Sequence, residues 1–147
     1  MASLDALIRR PTEEDLHTLH EIECLCFSEP WSETSLRLLC SDAYPSCVAI
    51  KDNTVVGYVG SQRVLDELQI TNVAVHPSAR RAGIASALLE EFHKMARELD
   101  ITLISLEVRE SNLGARALYE EFGYVTVGKR RGFYKNPRED ADRKSVV

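Results

Sequence analysis

Val73-Ala74-Val75-His76-Pro77-Ser78-Ala79-Arg80-Arg81-Ala82-Gly83-Ile84-Ala85 reads as a strand that runs into a doubly basic, glycine-containing turn and then into a long helix. The first N–H groups of a helix have no internal acceptor and lie at the positive end of the helix dipole, so a turn of this kind suits a diphosphate. Gly83 and Ala85 let oxygen atoms approach the amides, and Arg80 or Arg81 supplies neutralising charge. A mononucleotide P-loop would end in Gly-Lys-Ser/Thr, and a dinucleotide turn would read Gly-x-Gly-x-x-Gly followed by an acid about twenty residues on. Both patterns are absent here. Taken alone, Arg80-x-x-Gly83-x-Ala85 is equally the start of an ordinary helix with a surface arginine pair.

Working outward, Leu68 to Val75 is expected as the strand, ended by His76-Pro77, and Ala82 to about Leu99 as the helix, with Ile84, Leu88, Phe92 and Met95 on one face. Upstream, Cys47 to Lys51, the turn Asp52-Asn53 and Thr54 to Gly60 spell a hairpin, with Val64-Leu65-Asp66-Glu67 as the next turn. Ahead of the sheet, Ala6 to Arg10 is a short strand, Thr12 caps a helix that stops near Phe27, and Ser32 caps a second through Cys40. Downstream, Ile101 to Val108 is an apolar strand, Asn112 caps a helix to about Phe122, and Tyr124 to Lys129 is a further strand. Hairpins predict antiparallel pairing in the first half, and alternation of helices and strands predicts parallel pairing in the second. The fold class is α/β of the mixed α+β kind, a mixed central β-sheet with helices on both faces. The polar stretch 136–147 is expected to be a loose tail.

At 147 residues the chain is expected to be a single domain, 1–147. Its 18 basic and 23 acidic residues leave a net charge of −5, which argues against a broad nucleic-acid or membrane footprint while permitting a local basic site. Cys24, Cys26, Cys40 and Cys47 follow an opening, Met1 to Asp5, without a basic start or apolar signal core, so free thiols and a cytoplasmic location are expected. His17, His20 and Cys24 would share one helical face, but they flank an apolar stripe where such residues commonly pack; no metal is expected. No apolar run has the length of a membrane span.

The Arg-x-x-Gly-x-Ala turn after an apolar strand resembles the acyl-CoA pyrophosphate loop of the GCN5-related N-acetyltransferases (GNAT). Asn112-x-x-Ala115-x-x-x-Tyr119-x-x-x-Gly123-Tyr124 resembles the later helix of the same family, and the two motifs in order are far more specific than either alone. Phe27 with Pro30-Trp31-Ser32, Val64 to Glu67, Asn72 to Val75, Leu106 to Asn112 and Ala117 to Glu120 are most similar to the branch that acetylates the N-terminal alanine of a ribosomal protein. The likeness runs from about Ile8 to Ala141. It departs at the end, where members commonly finish with an apolar strand and this chain reads Asp142-Arg143-Lys144-Ser145.

The resemblance implies acetyl-CoA as cosubstrate, bound by the backbone of Val73, Ala74 and Val75 and by Arg80, Arg81, Ala82, Gly83, Ile84, Ala85, Ser86 and Asn112. It implies Glu107 as general base and Tyr119 as the acid that protonates the departing thiolate. Glu107 interrupts an otherwise apolar strand, which independently marks it, although an edge carboxylate paired with an arginine would look the same. Trp31 is a candidate wall of the acceptor site or an anchor for the second helix. Proton transfer to a carboxylate near ~4.3 costs about 5 kcal/mol from an α-ammonium near ~8 and about 8 kcal/mol from a lysine near ~10.4, which mildly favours an α-amine. The expected function is transfer of acetyl to the N-terminal α-amine of a protein, the Ala of a small-subunit ribosomal protein, by direct attack in a ternary complex. The alternatives are a family member acting on lysine side chains or a small-molecule amine, and a non-catalytic acyl-CoA-binding module.

Overall fold

Asp52 and Asn53 both adopt left-handed backbone (φ 52 and 62), the two-residue turn whose twist suits a hairpin. They join β2 (Cys47–Lys51) to β3 (Thr54–Val64), which runs past Gly60 before turning at Leu65-Asp66 into β4 (Glu67–Val75). β1 (Leu7–Arg9) pairs antiparallel with β2. The computed structural model describes residues 6–147; the opening Met1 to Asp5, on which the targeting expectation rests, lies outside the described residues.

Two helical segments cover one face of these strands. α1 (Leu16–Cys26) follows a 3-10 turn in which Asp15 accepts a hydrogen bond from the Thr12 N–H at 2.8 Å. It buries Leu16, Leu19 and Ile22 against Val48, Tyr58 and Ala74. α2 (Glu33–Leu36) is capped by Ser32, whose Oγ accepts from the Ser35 N–H at 3.1 Å, and continues as a 3-10 turn to Cys40. On the opposite face α3 (Ile84–Glu98) buries Ile84, Leu88, Leu89, Phe92 and Ala96. A Cβ on Gly57 would lie 2.9 Å from the Ala74 carbonyl oxygen and 3.3 Å from Ile84, so glycine lets α3 seat this closely on β3. α3 starts at Ile84 rather than Ala82, because Gly83 holds φ at 77 and breaks the helical path.

β5 (Leu103–Arg109), α4 (Leu113–Glu121), β6 (Val125–Tyr134) and β7 (Glu139–Val146) complete a seven-stranded sheet of order β1-β2-β3-β4-β5-β7-β6. The expected mixed sheet is present, but parallel pairing is confined to β4 with β5. The chain end corrects the rest: 136–147 is not a loose tail, because β7 inserts antiparallel between β5 and β6. Asp142 and Lys144 share one face of β7 and are buried beneath α4, where they pair at 3.1 Å and Arg116 Nε reaches Asp142 at 3.3 Å. Opposite charges two residues apart neutralise one another in the interior, so a strand that reads as polar is packed as core.

β4 bends away from β5. Gly60 pairs with Asn72 and Ser61 with Ile70, leaving Thr71 as the extra residue of a bulge. Before the bulge Leu68 and Ile70 pack toward α3; after it Val73 and Val75 do, while Asn72 and Ala74 turn toward α1. Pairing with β5 stops at Gln69 with Ser105, so the two strands splay and a cleft opens between them. Among the described residues no helix is long and apolar enough to cross a membrane.

Candidate functional site

The splayed strands border a cleft of about 940 Å³, and a second cavity of about 440 Å³ adjoins it at the N-terminus of α3. The His76 N–H bonds to the Val56 carbonyl at 2.7 Å, which by alternation turns the backbone groups of Val73 and Val75 away from β3 and toward the open edge. An open strand edge is a template for extended amides. The 440 Å³ cavity is lined by Arg80, Arg81, Gly83, Ile84, Ala85 and Ser86 on one side and by Gly114 of α4 on the other. Ile84, Ala85 and Ser86 form the first turn of α3, whose N–H groups have no intrahelical acceptor. Left-handed backbone at Arg81 (φ 64) and Gly83 shapes the cradle. Gly83→Ala is expected to lower stability by about 1–2 kcal/mol through strain at positive φ, read as a lower urea midpoint at unchanged m.

Arg80 lies at the junction of the two cavities. Its Nε donates to the Val75 carbonyl at 3.2 Å and its terminal nitrogen to Cys26 Sγ at 3.3 Å, so its charge is directed at the end of β4. Asn112 lines the large cleft and caps α4, accepting from the Ala115 N–H at 3.2 Å. Ala82 packs at the edge of the α3 core.

Glu107 and Tyr119 both line the large cleft. On β5, Ile104, Leu106 and Val108 face the α3 core, which turns Glu107 to the α1 face. Its carboxylate receives Arg130 at 3.1 Å, Arg143 at 3.7 Å and, more weakly, Gln69 at 3.4 Å. Tyr119, on α4, is 6% exposed, with its ring 5.7 Å from that of Tyr124. Burial pushes the Tyr119 phenol above its usual range, which disfavours its ionised form. Tyr134 is itself pushed up to about 12 by burial and by the Glu107 charge. Trp31 is half-buried against the α1–α2 core and also lines the cleft.

Glu23, Asn72, Gly114, Arg130, Arg143 and Tyr134 lie at the site without having been singled out from the sequence. Only Glu23 carried a local signal, as an acid at an inward position of an amphipathic helix. His17 and Cys24 do not converge: His17 faces Glu21 at 3.2 Å and Cys24 faces His20 at 3.5 Å. Among the described residues no group of three or more His, Cys, Asp or Glu could hold a metal ion.

The splayed sheet with a helix-terminus cradle beside it is an acyltransferase architecture: residues 16–124 match the acetyltransferase (GNAT) family, to which the chain belongs. It is 35% identical over 130 residues to the [ribosomal protein bS18]-alanine N-acetyltransferase of Haemophilus influenzae, covering 86% of this chain and 88% of that one. Its Escherichia coli counterpart is 33% identical over 129 residues, covering 86% and 87%. The crystal structure of the ribosomal-protein-S18-alanine N-acetyltransferase from Escherichia coli superposes with a TM-score of 0.89 at 31% sequence identity, over 96% of this chain and 92% of that one.

Proposed function

We propose that this chain, acting as a single domain, transfers acetyl from acetyl-CoA to the N-terminal α-amine of a protein, the acceptor being an alanine-starting ribosomal protein. The observation that carries this reading is that Glu107 and Tyr119 line one cleft, bordered by an unpaired strand edge and continued by a helix-terminus cradle. The residues present suit the cosubstrate: first-turn amides and Arg81 for the diphosphate, and the edge of Val73 to Val75 for the amides of the pantetheine arm. Acetyl-CoA supplies the acetyl group as an activated thioester.

Glu107, held by Arg130 and Arg143, takes a proton from the acceptor amine through a water, and the amine attacks directly. The backbone of the open β4 edge polarises the carbonyl. Tyr119 returns a proton to the departing sulfur, a transfer that its burial makes more uphill and that hydrogen bonding to the developing thiolate offsets. A module that merely binds acyl-CoA has no use for this pair. The test follows thiol release from acetyl-CoA with an alanine-starting peptide, an N-blocked lysine peptide and a polyamine. Turnover is expected with the first; turnover confined to the lysine peptide or the polyamine would replace this acceptor with a side chain or a small molecule.

A further inference from the structure

Three carboxylates are buried among the described residues, and two of them have cations: Asp15 meets Arg9 at 2.7 Å and Asp142 meets Lys144 at 3.1 Å. Glu23, the deepest at 1% exposed, has no cation within 4.0 Å among the described residues. Its partners are all neutral: the Trp31 N–H at 2.8 Å, the Asn72 amide at 3.1 and 3.3 Å, and the Tyr58 hydroxyl. Burial and the Glu23 charge push the Tyr58 phenol up, so it remains a donor. Beside this cluster Asn72 Oδ1 and Thr71 Oγ1, both on the bulge of β4, are buried acceptors without partners. Glu23, Thr71 and Asn72 all belong to the wall of the large cleft that also contains Glu107.

A buried carboxylate without a counter-ion, next to unpaired acceptors, suits a cation carrying several N–H donors. An ammonium has three donors and no acceptor, and so satisfies Asn72 Oδ1 while balancing the Glu23 charge. Resting on the reading above that the acceptor is an amine, we propose that Glu23 and Asn72 form the subsite that receives the acceptor in its protonated form. Asn72 Oδ1 accepts one N–H, Glu23 provides the opposing charge through the Asn72 amide, and neither takes the proton. The bulge at Thr71 serves this purpose by turning Asn72 toward α1.

The experiment compares two competitive inhibitors of acceptor turnover: an alanine-starting peptide, and the same peptide with a lactyl N-terminus, in which a hydroxyl replaces the ammonium. Wild-type protein is expected to prefer the ammonium form by about tenfold or more. Glu23→Gln should bring the two within about twofold while leaving the KM for acetyl-CoA unchanged. Tyr58→Phe removes a hydrogen bond from the same cluster and keeps the charge, so it should retain the preference; a merely structural cluster would lose it in both variants. If Glu23→Gln does not fold, Asn72→Ser reads the same ratio. A preference that survives in folded Glu23→Gln or Asn72→Ser, or equal inhibition in the wild type, overturns the subsite and leaves the proposed reaction standing. Wild-type protein that acetylates no amine overturns both.

Discussion

Glu107→Gln is expected to lower kcat by about 10²- to 10⁴-fold, and Tyr119→Phe to act in the same direction, with CoA affinity unchanged in both. Each substitution isolates one function. Gln retains the size of Glu107 and a hydrogen-bonding end facing Arg130 and Arg143, and removes its capacity to accept a proton as a base. Phe retains the ring that packs beside Tyr124 and removes only the hydroxyl. The proposed CoA contacts lie elsewhere, on the β4 edge and the first turn of α3, so calorimetric binding of CoA should match the wild type. Steady-state turnover with the alanine-starting peptide supplies the other half of the measurement, and wild-type kcat in both variants would remove both residues from the chemistry.

Lys144→Ala should destabilise the protein by about 3–5 kcal/mol, because it leaves the Asp142 carboxylate buried without the cation 3.1 Å away. Lys144 is 0% exposed, and beyond Asp142 its ammonium meets Thr126 at 3.2 Å and Glu120 at 3.5 Å, a setting that water does not replace. Arg116 contacts Asp142 as well, but at 3.3 Å and from a partly exposed position, so its compensation is incomplete. Urea unfolding at unchanged m is the measurement. A companion double variant, Asp142→Leu with Lys144→Met, removes both charges and should recover most of the loss, since well-packed apolar pairs commonly equal buried ion pairs. A loss under about 1 kcal/mol for Lys144→Ala would mean that the ion pair does not hold β7 in the sheet. The effect reaches the site, because β7 also carries Arg143, one of the two guanidiniums on Glu107.

The elements that could be read locally were those whose causes are local. Asp52-Asn53 makes its turn by its own left-handed backbone, Ser32 and Asn112 cap the helices that follow them, and His76-Pro77 ends β4. The cradle was legible for the same reason: a glycine, small residues and arginines within six positions suffice to present the amides of one helix end. Glu107 stood out as an acid in an apolar strand, and its role and that of Tyr119 were nominated by the resemblance of their motifs to the family.

What the tertiary structure alone decided are pairings between distant residues. Insertion of β7 between β5 and β6 requires Asp142 and Lys144 to neutralise one another under Arg116, a balance invisible in a stretch that reads as uniformly polar. The splay of β4 from β5 follows from one extra residue, Thr71, whose register is set by β3 and not by its own neighbours. Glu23 and Asn72 meet across 49 residues, and Arg130 and Arg143 reach Glu107 from two other strands. Thus short-range backbone preferences in the chain determined the locally caused elements and the cradle, and the resemblance of its motifs to the family nominated the chemistry. Folding determined which charges are paired and which is left facing the cleft, because the energy of a buried charge depends on what the rest of the chain brings to it.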